Sequence, residues 1–415
     1  MYIIDEGGGD MERVERKEYL DWLIRWREQQ IIKVVSGVRR CGKSTLFAIY
    51  RDWLLKNGVA AEQIIAINFE DIDYEHLTDY RTLYDYIKGL LLLNQMNYIF
   101  LDEIQHVEQF EKVVDSLFIK DNCDVYITGS NAYFMSGELA TLLSGRYVEL
   151  KMLPLSFREF CSGLRDGGTQ NNAQRFDAYL RLSSFPYALR LPTTGREVQE
   201  YLTDLYHTVL LKDVMARQRI ADVTSLEQVT KFLLHNIGNR VSAGKIANTM
   251  KSAGKGVDQK TVDKYIRGLT DSLLLYEATR YNIKGKQYLT TQSKYYAVDV
   301  ALRNTLVKGS ASDIGHILEN IVYLELLRRA DRVYVGELED GEVDFVTVSP
   351  DNTVYYQVAA TTLDEEVLKR ELAPLQKISD NYPKLLLTLD EVFATADYDG
   401  IQKRNVLDWL LEAPA

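Results

Sequence analysis

A chain of 415 residues exceeds what one hydrophobic core can organise, so two to four domains are expected. Its 46% hydrophobic and 26% charged residues are an ordinary globular balance, and no apolar run approaches the ~20 residues that span a bilayer, which excludes a helical membrane protein. A net charge of −11 excludes a global attraction to nucleic acid; three scattered cysteines (41, 123, 161) and five dispersed histidines exclude a disulfide framework, a zinc knuckle and a histidine-rich metal site, and the reading is a cytoplasmic protein.

The opening residues Met1 to Asp10 are glycine-rich and acidic and read as a disordered tail before a more natural beginning at Met11. Ile31 to Ser36 is short and β-branched and predicts a strand, while Thr45 to Gly58 has helical periodicity with a glycine stop. Between them, Gly37-Val38-Arg39-Arg40-Cys41-Gly42-Lys43-Ser44 fits the phosphate-loop pattern G-x-x-x-x-G-K-[ST]. Strand, loop and helix in this order make an anion cradle. Glycines 37 and 42 free the backbone so that consecutive N–H groups converge on phosphate oxygens at a positive helix end. Lys43 is expected to reach the β- and γ-phosphates of a nucleotide, and Ser44 to take one position on Mg2+, with Gly37, Arg39, Arg40, Cys41, Gly42 and Thr45 completing the loop. The alternative is a glycine-bearing turn with a surface lysine.

Farther on, Ile64 to Phe69 is apolar and is followed by Glu70 and Asp71, candidate partners of Arg39 and Arg40. Asn97 to Glu103 is an apolar run ending in two carboxylates, as expected of a buried strand that opens onto a site. Asp102 is placed to hold the Mg2+ shell and Glu103 to act as general base on the attacking water. An acidic turn at a strand end is the plainer account. A third strand, from Asp124, ends in Thr128, Gly129, Ser130 and Asn131; Thr128, Ser130 or Asn131 could sense the γ-phosphate, Asn131 first among them, and turn chemistry explains the same residues equally well.

These runs, with Ser144-Gly145-Arg146-Tyr147 and Leu153-Pro154-Leu155-Ser156-Phe157-Arg158-Glu159-Phe160, resemble the AAA-type ATPases of bacteria and archaea that carry accessory C-terminal domains. The resemblance covers residues 11–155 and implies a parallel α/β sheet of the P-loop NTPase kind, with helices on both faces and the Thr128 strand between the loop strand and the carboxylate strand. It implies ATP hydrolysis, and it suggests Arg146 as an arginine finger, a role that needs a neighbouring subunit or domain closure; a plain ion pair is the alternative.

Residues 156–225 read as a helical lid or connector, with helices at 174–182 and 195–218. Residues 226–293 follow a winged-helix-like pattern: helices at 226–236, 242–250 and 258–272, then strands at 273–278 and 287–290. Between residues 231 and 300 there are twelve basic and five acidic residues, and Lys260, Lys264 and Arg267 fall along one side of the third helix. Contact with DNA is one reading; a solvated helix in a protein-binding module is the other.

Residues 294–415 run helix (315–330), strands (332–338, 342–348, 353–360), helix (364–378), strand (384–389), helix (402–412). The order resembles the αβββαβ restriction-endonuclease-like core. The resemblance matches Asp344 to a metal-binding aspartate, Glu319 to a helical carboxylate, and Gln357-Val358-Ala359 to the E-x-K triplet. With glutamine and alanine in that triplet the metal cage loses a charge and the activating lysine is gone, so the domain reads as an inactive, degenerate nuclease fold; a rescue would need a lysine from the next helix, Lys369. The chain as a whole therefore reads as an ATPase whose cycle drives or switches domain rearrangement, with DNA, a protein or a second copy as candidate partners. The alternatives are a slow nucleotide-dependent signalling switch and an ATP-dependent nuclease of a defence or mobile-element system.

Overall fold

The computed structural model describes residues 14–129, 143, 145–164, 168–192, 195–215, 220–285, 287–307, 313–349 and 352–413. They fall into two compact units, the first drawn from the described parts of 14–129, 143–170 and 185–190, the second from 171–184 and 191–413.

The first unit contains α1 (Lys17–Arg25), β1 (Ile32–Gly37), α2 (Lys43–Lys56), β2 (Ile64–Asn68), α3 (Tyr80–Leu90), β3 (Asn97–Asp102), α4 (Phe110–Phe118), β4 (Cys123–Thr128), β5 (Tyr147–Met152) and α5 (Phe157–Gly163). Its five strands are all parallel in the order β2-β3-β4-β1-β5. The Thr128 strand thus lies between the loop strand and the carboxylate strand, as the resemblance implies. β1 and β3 are buried at every position, which is why they read as continuous apolar runs rather than alternating ones. Phe47 and Tyr50 of α2 pack edge-on or tilted against Phe100 and Tyr126, whose rings stack 4.8 Å apart between β3 and β4. Because the strands are parallel, the ends of β1, β3 and β4 open on one edge of the sheet, where Val35 pairs with Thr128 and Leu101 with Ile127.

In the second unit, α6 (Asn172–Leu182) and α7 (Arg196–Thr208) precede three helices, α8 (Val223–His235), α9 (Ala243–Ser252) and α10 (Gln259–Asp271), and the hairpin β6 (Leu275–Asn282) and β7 (Gln287–Ala297). The helix expected over 195–218 is α-helical only to Thr208 and continues as a π-helical turn, Val209–Met215. Ser242 and Asp258 cap α9 and α10 by accepting the N–H groups of Lys245 and Thr261. The chain then runs through α11 (Val300–Leu306), α12 (Ile314–Arg329), the antiparallel strands β8 (Arg332–Leu338), β9 (Gly341–Val348) and β10 (Thr353–Ala359), α13 (Glu365–Gln376), β11 (Lys384–Thr388), β12 (Ala396–Tyr398), β13 (Ile401–Asn405) and α14 (Val406–Leu411).

One eight-stranded sheet, in the order β12-β13-β11-β10-β9-β8-β6-β7, carries all of these strands. β6 pairs in parallel with β8 through Arg280 to Asn282, so the hairpin continues the C-terminal sheet, and the boundary expected after residue 293 falls inside β7. The helix expected over 402–412 is also corrected. Ile401, Lys403 and Asn405 point inward with a period of two, forming a strand parallel to β11, and only Val406–Leu411 is helical, capped by the Asn405 side chain. Between the sheet and α13 lies an apolar core that includes Val343, Val346, Tyr355, Leu372, Leu375 and Leu386.

Candidate nucleotide site

The loop after β1 is built by close approach and by left-handed backbone. A β-carbon at Gly37 would stand 2.4 Å from the Met152 carbonyl oxygen and 2.9 Å from Cys41 Sγ, so only glycine fits. Gly42, at φ 105°, closes the loop in a conformation that side chains disfavour, and α2 starts at Lys43. Arg40 also takes a left-handed conformation (φ 65°) and is exposed. Lys43 is buried; its Nζ donates to the Gly37 carbonyl at 3.2 Å and lies 3.5 Å from Glu103 Oε1. Ser44 and Thr45 are exposed at the mouth.

The two carboxylates at the end of β3 sit opposite this loop. The Ser44 hydroxyl hydrogen-bonds the Asp102 carboxylate, as does the Thr128 hydroxyl, which also accepts the Glu103 N–H at 2.9 Å. Burial pushes the Asp102 carboxyl above its ordinary range, and these two hydroxyls only partly oppose it. Burial acts the same way on Glu103, but there the Lys43 ammonium, the Gln105 amide and the Arg39 guanidinium win and hold the carboxyl below its ordinary value. Gln105 Nε2 donates to Glu103 Oε2 at 2.5 Å. Glu103 itself has φ 55°, a left-handed conformation that the turn after β3 imposes on a residue other than glycine.

Of the other residues expected here, Arg39 lies 3.5 Å from Glu70, one of its two expected partners. Asn131 lies outside the described residues. Arg146 does not face the loop of its own sheet. Tyr147 pairs with Ile32 at the start of β1, whereas the loop follows its end, so Arg146 stands at the opposite edge of the sheet. There it lies 3.7 Å from Asp115 and over the Phe118 ring.

Sequence reasoning missed Arg16. Its buried guanidinium donates to the Cys41 carbonyl at 3.0 Å and the Leu153 carbonyl at 2.6 Å, and pairs with Glu159 at 2.8 Å. It therefore ties the phosphate loop to the end of β5 and to the first turn of α5, where Ser156 and Glu159 form a capping box. Glu159 at the third position after a serine was the one signal of an ordered contact; nothing in the sequence points from Arg16 to residue 41.

The second unit brings Glu319, Asp344 and Gln357 together around a residue not foreseen. Lys294 Nζ, from β7, lies 2.8 Å from Glu319 Oε1, 2.9 Å from Glu342 Oε1 and 4.0 Å from Asp344 Oδ1. Gln357 accepts weakly from the Asp344 N–H at 3.4 Å and donates to Glu371 at 2.9 Å. The substitute lysine is corrected: Lys369 is exposed and pairs with Glu365 at 2.6 Å, one helical turn away. The basic island is also partly spent inside the unit, since Arg240, Arg280, Lys284 and Lys294 all pair with glutamates of 319–342. Lys260, Lys264 and Arg267 are exposed on α10 and make no ion pair among the described residues.

Comparison with known proteins agrees with this geometry. An AAA domain family matches residues 29–161, and a domain of unknown function matches residues 173–313. An uncharacterised protein of Haemophilus influenzae is 38% identical over 401 residues, covering 96% of this chain and 99% of that one. A second uncharacterised protein, from Methanocaldococcus jannaschii, is 27% identical over 394 residues, covering 91% and 85%. Among solved structures, a Walker-type ATPase of Pyrococcus abyssi superposes with a TM-score of 0.50 at 15% identity, over 72% of this chain and 96% of that one, a likeness of fold. The first unit is thus an AAA-type P-loop domain. The chain belongs to the same family as the Haemophilus influenzae protein, which it matches nearly end to end. No helix among the described residues is long and apolar enough to cross a membrane.

Proposed function

We propose that the chain binds ATP at residues 37–44 and hydrolyses it, and that this cycle drives or switches the arrangement of its domains. The observation that carries the reading is the meeting of Lys43, Ser44, Asp102 and Glu103 at one sheet edge, with Lys43 3.5 Å from Glu103 and Ser44 hydrogen-bonded to Asp102. The donor set fits Mg2+: a hydroxyl and a carboxylate already in contact, both oxygen, with Ser44 exposed. When bound with the nucleotide, the ion would neutralise charge on the β- and γ-phosphates.

The chain's own residues do the remaining work. Loop N–H groups after Gly37 bind phosphate oxygens, and Lys43 exchanges Glu103 for the γ-phosphate. Released from that ammonium, Glu103 accepts a proton from the water that attacks the γ-phosphorus, while the bond from that phosphorus to the β,γ-bridging oxygen breaks and ADP leaves with phosphate. Thr128 holds the Asp102 carboxylate and the Glu103 backbone N–H, Gln105 orients one Glu103 oxygen, and Arg16 steadies the loop through the Cys41 carbonyl. Arg146 would serve a triphosphate through a neighbouring subunit or through domain closure, and a rate that climbs with protein concentration and loses that climb in Arg146→Ala is the expected sign of the first.

In the second unit, α8 to α10 with the β6–β7 hairpin support a winged-helix reading, and the exposed Lys260, Lys264 and Arg267 support nucleic acid as partner. The succession α12-β8-β9-β10-α13-β11 supports a restriction-endonuclease-like core without catalysis, because Gln357 and Ala359 stand where a carboxylate and a lysine would be required. One experiment tests these readings together: the ATPase rate with and without DNA, over a salt series, with molecular mass followed in solution. Lys43→Ala should lose ATP binding. A wild-type chain without affinity for adenine nucleotides ends the ATPase reading, and a rate and affinity indifferent to DNA at low salt end the nucleic-acid reading.

A further inference from the structure

An enzyme of the nuclease-like fold needs a divalent cation among its carboxylates, a hard ion that takes oxygen ligands at roughly 2.0–2.6 Å. The residues of this unit do not fit that need. Glu319, Glu342 and Asp344 converge on one point, and that point is held by the ammonium of Lys294 at 2.8, 2.9 and 4.0 Å. Among the described residues no trio of histidine, cysteine, aspartate or glutamate side chains is set to grip a metal ion.

The remaining oxygens are committed as well. Glu319 Oε1 also accepts the Tyr296 hydroxyl at 2.5 Å, and its Oε2 faces His316 Nδ1 at 3.6 Å. Asp344 Oδ2 accepts the Val358 N–H at 2.8 Å, and Glu342 is shared with Arg240 at 2.8 Å. Gly238, at φ 74°, brings its backbone so close that a β-carbon would lie 3.0 Å from Glu319 Oε2. On another side, Tyr296 stacks on Tyr323 at 4.4 Å, and both rings tilt against Phe345. A buried charge persists only when paired and hydrogen-bonded, and Lys294 is paired on a scale that a surface lysine never needs.

We infer that Lys294 is a tethered cation standing in the metal's place, so that Glu319, Glu342 and Asp344 form a divalent-cation site which the lysine keeps closed. The inference rests on the nuclease-like reading for the identity of the missing ion, and on the geometry of Lys294 for the rest. It gives β7 a purpose in this unit: the strand reaches back from the helical half to neutralise the C-terminal half. It also accounts for Gln357, since an amide in the triplet spares the cluster a further negative charge that one ammonium could not balance.

The test uses the full chain without nucleotide, and Mn2+ as the probe. Wild type and Asp344→Asn should bind Mn2+ equally, because the wild-type cluster holds none. Lys294→Ala and the milder Lys294→Gln should each gain one Mn2+ site, at least about tenfold tighter than any in wild type, as freed carboxylates regain oxygen-ligand character. Mn2+ should raise the melting temperature of these variants and not that of wild type, and Asp344→Asn on the Lys294→Ala background should cancel the gain. Soluble Lys294 variants that bind no more Mn2+ than wild type overturn the inference while leaving the nuclease-like reading intact. If both variants are insoluble with and without Mn2+, the wild-type arm still decides: a Mn2+ site lost in Asp344→Asn sinks the proposal. Mg2+-dependent plasmid cleavage that Asp344→Asn abolishes overturns both the inference and the inactive reading.

Discussion

Two lysines in this protein are almost equally buried, and both face carboxylates, yet they are built for opposite ends. Lys43 touches one carboxylate, at 3.5 Å, and one backbone carbonyl, and its chain neighbours Ser44 and Thr45 are open to solvent. Lys294 is held by three carboxylates under a roof of backbone and stacked rings. Loose pairing beside an open mouth lets an ammonium change partners; dense pairing makes it a fixture. Burial alone does not tell the two apart. The number and length of the contacts does.

The sharpest break between the two sites should come from neutralising one carboxylate in each. Glu103→Gln removes the base and keeps the shape, so turnover should fall by about 10²–10⁴-fold while ATP still binds, in a steady-state assay paired with nucleotide titration. Wild-type-like turnover would remove Glu103 from its role. Glu319→Gln should be read in stability instead. It leaves the buried Lys294 ammonium under-paired, and breaking a buried pair from one side costs about 3–5 kcal/mol, measured by denaturant unfolding of the full chain.

Much of the first site was legible because its parts are local. Loop, lysine and serine lie within eight residues, and the acid pair ends a run whose every position is buried, so sequence spacing and strand pattern carry the information. Arg16 was not legible, since its hold on the loop depends on the left-handed turn at φ 52° that starts α1 and on the end of β5, 137 residues away. Lys294 was hidden differently. It lies in a polar-looking stretch of a hairpin, and its value depends on a helix and a strand that arrive 25 to 50 residues later. Residues 402–412 read as one helix because Ile401–Asn405, a strand, leads directly into a helix, and nothing local in the sequence marks Lys403 as inward. It is in fact buried against Asp390 at 2.8 Å.

That Asp390–Lys403 pair offers a smaller test. Burial pushes the Asp390 carboxyl up, but Lys403, the Thr361 hydroxyl and the Thr362 N–H and hydroxyl together hold it well below the ordinary value. A carboxyl depressed in the folded state adds stability above its unfolded value of about 3.9, and loses it as pH falls toward the folded value. Asp390→Asn should therefore lower stability most at neutral pH, with the gap to wild type closing below about pH 4. A gap that widens on acidification would mean that the depressed carboxyl is not what Lys403 sustains.

The mildest change, and the one most revealing of how Lys43 differs from Lys294, is Arg39→Ala. Its pair with Glu70 is long and partly exposed, so stability should move by less than about 1 kcal/mol. Arg39 nevertheless belongs to the groups that keep Glu103 ionised, after the Lys43 ammonium and the hydrogen bond from the Gln105 amide. Once Lys43 turns to phosphate, Arg39 is the cation left to that carboxylate. Its removal should raise the Glu103 value, and the acid limb of kcat/KM should shift to higher pH with the plateau rate little changed. An unmoved limb would show that the loop arginine only steadies Glu70, and that Glu103 keeps its charge through Lys43 even during turnover.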